Sequence, residues 1–167
     1  ELAYNPGIPG ELDKPIGVLL EYAKDTPVQR SLPLITVKNS FVSHQGVVNF
    51  GVIGAGHYGK ALLLPALKKI PDVCLHTLAT SSGANVEHSG RKFRFLNQTT
   101  DVEQIWNKPE IQGVIGLTPH SHHASLFQAA VEYGKSFFLE KPLCTTEEEL
   151  NKLRKIAENA ESLPILM

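Results

Sequence analysis

The stretch Val47–Gly59, VVNFGVIGAGHYG, constrains the fold of this chain more than any other. Apolar, β-favouring residues run straight into Gly54-Ala55-Gly56-His57-Tyr58-Gly59, and a helix-like pattern follows. Strand, glycine turn and helix in that order lay out a dinucleotide site. Gly54 lets the strand turn tightly, Gly56 lets the backbone approach a pyrophosphate with no Cβ in the way, and Gly59 lets helix and strand pack closely. The free N–H groups of the first helical turn then face the phosphate charge. Glycines also serve ordinary loops, so the pattern gains its weight from sitting between a strand and a helix. A glycine-rich βα turn that holds nothing is the competing reading.

The rest of the chain predicts an α/β fold, doubly wound around a mainly parallel Rossmann sheet, preceded by an irregular N-terminal extension. From Val47 onward strands alternate with helices, which argues for helices on both faces of the sheet. The expected strands are Val47–Ile53, Val73–Thr80, Gly113–Leu117 and Ser136–Leu139, with a further one near Phe95. A first helix is expected from His57 to Ile70, bent or shifted in its start by Pro65. Ser81–Gly90 reads as a polar turn with at most one helical turn, and Arg91-Lys92-Phe93 as the end of a short helix. Asp101 caps a short helix reaching Trp106. Another helix runs from Ser121 to Tyr133 and closes at Gly134. Thr146, followed by Glu147–Glu149, opens a capped helix to Ala160.

Residues 1–45 are different. Pro6, Pro9, Pro15, Pro27 and Pro33 with Gly7, Gly10 and Gly17 exclude long helices there. Ile16–Tyr22 is an expected strand and Leu34–Val37 a weaker one. The expected organisation is therefore an extension or linker over 1–45 and a nucleotide-binding domain over 46–167. The chain starts without Met and stops at Leu163–Met167, which reads as the opening of another buried strand. A piece of a longer polypeptide is the expectation.

Composition excludes several function classes. The formal net charge of −1 gives no basic footprint for nucleic acid or an anionic membrane. No apolar run approaches a membrane span, and the first residues lack a signal-peptide layout. Cys74 and Cys144 have no CxxC partner and no histidine at ligand spacing, which fits reduced thiols and a cytoplasmic location.

Three further segments carry chemistry. In NAD-binding folds an acid about 20 residues past the glycines holds the ribose 2′-hydroxyl. Here that place is Ala79-Thr80-Ser81-Ser82, without a carboxylate. Thr80 and Ser81 leave room for a 2′-phosphate that Arg91 or Lys92 would reach, tilting NAD or NADP slightly toward NADP. Hydroxyls also bond a 2′-hydroxyl, and plain turn residues fit equally well. Thr118-Pro119-His120-Ser121-His122-His123 follows the strand ending at Leu117, at the edge where open α/β sheets bind ligands. Its histidines invite a metal, but no Cys or carboxylate joins them, so pocket lining or helix capping is expected and no metal. Leu139-Glu140-Lys141-Pro142 leaves the next strand at the same edge. There Lys141 would donate a proton or stabilise charge near a transferring hydride; a solvated loop charge is the alternative.

Taken together, the Gly54–Gly59 turn, Thr118-Pro119 with His123, and Glu140-Lys141-Pro142 resemble the Gfo/Idh/MocA oxidoreductases, relatives of glucose-fructose oxidoreductase and inositol dehydrogenase. The resemblance covers residues 47–167. It implies that Gly54, Ala55, Gly56, His57 and Tyr58 hold the pyrophosphate, and that Thr118, Pro119 and His123 line the nicotinamide side. Glu140 would contact the nicotinamide ribose and Lys141 would sit beside the reacting substrate carbon. His120 stands where Asn is common in that family. The family's further domain, with a large open sheet, supplies a substrate pocket and an oligomer interface, so a homo-oligomeric parent acting on a sugar or cyclitol-like substrate is implied. Lys14–Tyr22 also resembles the tail of a zinc-type alcohol dehydrogenase-like domain. The reading is an NAD(P)-dependent oxidoreductase whose excised domain turns over nothing alone. The alternatives are another Rossmann dehydrogenase, a non-catalytic dinucleotide-binding module, or a domain for coenzyme A or a nucleotide sugar.

Overall fold

Strand β2 (Val48–Ile53) forms the middle of the sheet because its residues are wanted on both sides. Val52 points into one apolar layer with Leu64, Leu78 and Phe95, while Ile53 points into the opposite layer with Trp106, Phe127 and Phe137. A strand buried on both faces needs a continuous apolar run rather than an alternating one. Leu64 and Leu78 are completely buried, each contributing about 1.5–3 kcal/mol of transfer free energy.

The computed structural model describes residues 35–36 and 46–160. Around β2 stand β1 (Ile35–Thr36), β3 (Val73–Ala79), β4 (Asn97–Thr99), β5 (Gly113–Gly116) and β6 (Ser136–Leu139), in the order β1-β4-β3-β2-β5-β6. The five strands from β4 to β6 are parallel, and β1 adds an antiparallel edge through Ile35 opposite Gln98 and Thr36 opposite Asn97. The weak strand expected at Leu34–Val37 thus exists in its middle two residues. The strand expected at Ile16–Tyr22, the alcohol dehydrogenase-like segment and the strand opening at Leu163–Met167 lie outside the described residues.

The helices occupy both faces, as expected of a doubly wound sheet. α1 (Leu64–Leu67) and α2 (Gly83–Phe93) cover one face; α3 (Glu103–Trp106), α4 (His123–Glu132) and α5 (Glu147–Asn159) cover the other. The first helix begins at His57, as expected, and Pro65 widens it rather than moving its start. A π turn spans Gly59–Leu63, the Leu64 N–H reaching back to the Gly59 carbonyl, before α1 begins. Proline has no N–H for the carbonyl four residues back and its ring crowds that carbonyl, so a wider turn lets the backbone pass. The regular helix stops at Leu67 rather than Ile70, tightening into three-residue bonds from Lys69 to Ala66 and Ile70 to Leu67. A short 3-10 turn, His120–His122, precedes α4.

One expectation is overturned. Ser81–Gly90 is not a polar turn: α2 runs eleven residues from Gly83 to Phe93. Its inward stripe is Val86, Ser89, Gly90 and Phe93, and only two of these are large and apolar. Ser82 caps the start and Arg94, at φ 61°, ends it in the left-handed region.

Candidate functional site

All five parallel strands end at one edge of the sheet, and the order reverses at β2, which pairs with both β3 and β5. A crevice opens outside the carboxyl ends of strands at such a reversal. β2 leaves it through Gly54, whose N–H bonds the Ala79 carbonyl at 2.8 Å while the Leu117 N–H bonds Ile53 at 2.7 Å. Gly54 has φ +89°, and a Cβ there would stand 2.5 Å from the Leu117 carbonyl oxygen. Conformation and space both require glycine. At Gly59 an added Cβ would stand 2.7 Å from the Leu117 side chain, so helix and strand do pack closely here.

Gly56 behaves otherwise. A Cβ there would meet only the Leu117 carbonyl oxygen, at an ordinary 3.7 Å, so the protein's own packing does not ask for glycine. Ala55 lies beneath the turn in the apolar layer, whereas Gly56, His57 and Tyr58 are exposed.

The strand ends converge on a cleft of about 370 Å³, within the size range of small-molecule sites. Gly56, His57, Tyr58 and Gly59 form one wall; Gly116, Leu117, Thr118, Pro119, His120 and His123 form another; Glu140 and Lys141 close it. Nine of the predicted site residues therefore share one cavity. Gly54 and Ala55 support it from below. Thr80 and Ser81 lie at the same sheet edge but outside this lining, Thr80 donating its hydroxyl to the Ser82 carbonyl at 2.8 Å and Ser81 exposed.

His123 is 1% exposed and joins the two loops that carry the motifs. Its Nδ1 is 2.7 Å from the Pro142 carbonyl oxygen and its Nε2 3.1 Å from the Thr118 carbonyl oxygen. Both partners are acceptors, so whichever ring nitrogen carries a proton donates it. The ring borders the cleft and sits between the carbonyls of the Thr118 turn and of the Lys141-Pro142 turn, whose peptide is cis. His120 stacks edgewise on it with centroids 5.3 Å apart.

Across the cleft the Tyr58 phenol sits beside the Glu140 carboxylate, whose negative charge, with some desolvation and a hydrogen bond, raises its pKa above the ordinary 10.0. Lys141 is exposed and, among the described residues, has no carboxylate within ion-pair distance. Its ammonium is available to a bound molecule.

Two observations show that these residues suit a dinucleotide. The missing Gly56 side chain leaves backbone bare where a pyrophosphate would approach. The Thr118 hydroxyl oxygen in the cleft wall is buried with no hydrogen-bond partner among the described residues, a costly arrangement unless a bound group completes it.

Arg91 and Lys92 are not beside the end of β3. α2 carries them to its last turn, roughly 12 Å along the axis from its start. There Arg91 pairs with Glu87 at 2.8 Å and Lys92 lies over the Phe93 ring. Gly116 and Leu117 entered the lining without any sequence signal, as apolar strand-end positions contributing mainly shape. Among the described residues no three His, Cys, Asp or Glu side chains gather as a metal site, and no helix is long and apolar enough to cross a membrane.

Residues 48–165 match the model of the Gfo/Idh/MocA family, described as an oxidoreductase family with an NAD-binding Rossmann fold. The chain belongs to this family. Among curated relatives of this Gfo/Idh/MocA chain is a levoglucosan dehydrogenase of Pseudarthrobacter phenanthrenivorans, 38% identical over 61% of the chain and 28% of the relative. An NADP-dependent scyllo-inositol 2-dehydrogenase of Bacillus subtilis is 29% identical over 66% of the chain and 30% of its own length. A solved levoglucosan dehydrogenase, in complex with NADH and levoglucosan, superposes with a TM-score of 0.62 at 30% identity, covering 71% of this chain and 34% of that one. The Gfo/Idh/MocA chain thus spans less than a third of the length of these curated relatives.

Proposed function

We propose that this chain is the dinucleotide-binding part of an NAD(P)-dependent oxidoreductase moving hydride to or from a secondary alcohol carbon of a sugar or cyclitol-like substrate. The observation that carries the reading is the convergence on one cleft of the bare Gly56 turn with the Thr118 hydroxyl and the Lys141 ammonium, neither of which has a partner among the described residues. The relatives' names support the substrate class, since one acts on levoglucosan and another on scyllo-inositol.

In this reading the nicotinamide, when bound, supplies the hydride acceptor or donor, the difficult part of the chemistry. The Gly54–Tyr58 turn receives the pyrophosphate on its backbone. Thr118, Pro119 and His123 line the nicotinamide side, Glu140 meets the nicotinamide ribose, and Thr80 and Ser81 lie at the adenine ribose. Lys141 hydrogen-bonds the reacting oxygen and, in carbonyl reduction, delivers a proton to it. Residues 46–167 act as this domain, following the 1–45 extension, and the chain alone holds dinucleotide without turnover.

The test joins two measurements. The protein that carries this chain together with a substrate domain is assayed on a panel of cyclitols and sugars by nicotinamide absorbance. Lys141→Met is expected to lower kcat by at least about 100-fold, the usual size of a lost general acid, with dinucleotide affinity retained. Dehydrogenase turnover by the isolated chain, or full activity of Lys141→Met, contradicts the proposal.

A further inference from the structure

We infer that the sheet edge after β3, outside the cleft lining, selects NADP(H) over NAD(H), with Lys60 supplying the charge for the selection; the inference rests on the dinucleotide reading above. The 2′ position of the adenine ribose lies at the carboxyl end of the strand after the glycine turn's helix, where a carboxylate takes the 2′-hydroxyl of NAD. In this fold that place is Thr80-Ser81-Ser82, following β3.

That stretch of sequence carries no acid. Residues 80–86 read TSSGANV, and the first acid, Glu87, is a turn into α2 and paired with Arg91. The hydroxyls are partly committed: Thr80 donates to the Ser82 carbonyl, and the Ser82 oxygen accepts from the Asn85 N–H at 3.4 Å. Ser81 stays exposed, and the Ser82 hydroxyl proton has no partner among the described residues. A 2′-hydroxyl would find no carboxylate acceptor here, while a phosphate would meet donors.

The cation arrives from another element. Lys60 directly follows the glycine fingerprint, and its Nζ donates to Asn85 Oδ1 at 3.1 Å. The same Asn85 oxygen accepts from Ser89, so the amide is held from the far side. Asn85 thereby holds the Lys60 ammonium against the first turn of α2, the turn that Ser82 caps through the Asn85 N–H. Among the described residues no carboxylate lies within ion-pair distance of Lys60, so its charge is not already neutralised. A 2′-phosphate would gain one charge-assisted hydrogen bond and no repulsion, an advantage of about 10- to 100-fold in affinity.

Titrations of this chain with NADPH and NADH, followed by cofactor fluorescence, read the preference. Adenosine 2′,5′-bisphosphate and 5′-AMP as competitors isolate the 2′ group. We expect NADPH to bind about 10- to 100-fold tighter than NADH, and the bisphosphate to displace it better than AMP. Lys60→Met is expected to weaken NADPH about tenfold more than NADH, Lys60→Arg to restore most of the difference, and Ser81→Asp to favour NADH. NADH binding as tightly as NADPH, or Lys60→Met weakening both equally, overturns the inference while leaving the dinucleotide reading intact. No saturable binding of either cofactor overturns both.

Discussion

Gly54 and Gly56 sit two residues apart, and the protein makes opposite demands of them. Gly54→Ala places a Cβ against the Leu117 carbonyl at φ +89° and is expected to cost about 1–3 kcal/mol in urea unfolding. Gly56→Val should leave stability within about 0.5 kcal/mol, since nothing in the fold crowds that position. His123 belongs with Gly54. Removing its buried ring takes away the donor that stands between the Pro142 and Thr118 carbonyls, so His123→Ala is expected to lose about 1–3 kcal/mol by the same measurement. These residues are legible in sequence because glycine and proline act through the backbone, whose constraints are local. The role of His123 was legible only in part. Its spacing placed it beside the cleft, but the Pro142 carbonyl it bonds lies 19 residues away, beyond any local pattern.

Among the elements, α5 shows how far local chemistry decides an outcome. Thr146 accepts from the Glu149 N–H while Glu149 reaches back to the Thr146 N–H, the reciprocal box its sequence predicts. Thr146→Ala is expected to cost about 1 kcal/mol. Glu149 also adds a pH dependence. The Thr145 N–H, and after it the Thr145 hydroxyl and the Thr146 N–H, outweigh partial desolvation and hold its carboxyl below the ordinary 4.5. The folded chain therefore binds this proton less readily than the unfolded chain. The contribution is full above that ordinary value and is lost as pH falls through the depressed one. Urea unfolding of the chain and of Glu149→Gln should differ at pH 7 and converge on acidification through the carboxylate range. The elements that sequence marked only in part, α2 by its end at Phe93 and β4 by a strand expected near Phe95, have polar residues turned inward. β4 is Asn97-Gln98-Thr99 and wholly buried, with Gln98 lying so close over Gly90 that a Cβ there would stand 2.3 Å from it. Hydrophobic periodicity does not set the bounds of a strand of polar residues buried by close packing, and those of the α2 that packs on it are blurred in the same way.

For the whole molecule, a sheet order reversal at β2 turns three separated motifs into one cleft. The alternation of apolar runs and capped helices made that architecture readable. What the sequence could not supply was distance: a turn over Ser81–Gly90 would keep Arg91 and Lys92 close to the end of β3, whereas α2 carries them to its far end. On the proposed reading, this cleft holds a dinucleotide across the bare backbone of Gly56. The direct measurement is a titration of NADPH and NADH into the chain and into Gly56→Val, with urea unfolding of both proteins in parallel. Saturable binding to the chain is expected, with a loss of at least about tenfold in Gly56→Val from a side chain set in the path of the pyrophosphate, and matching unfolding curves. Equal binding by both proteins, or no binding by the folded chain, would contradict that reading.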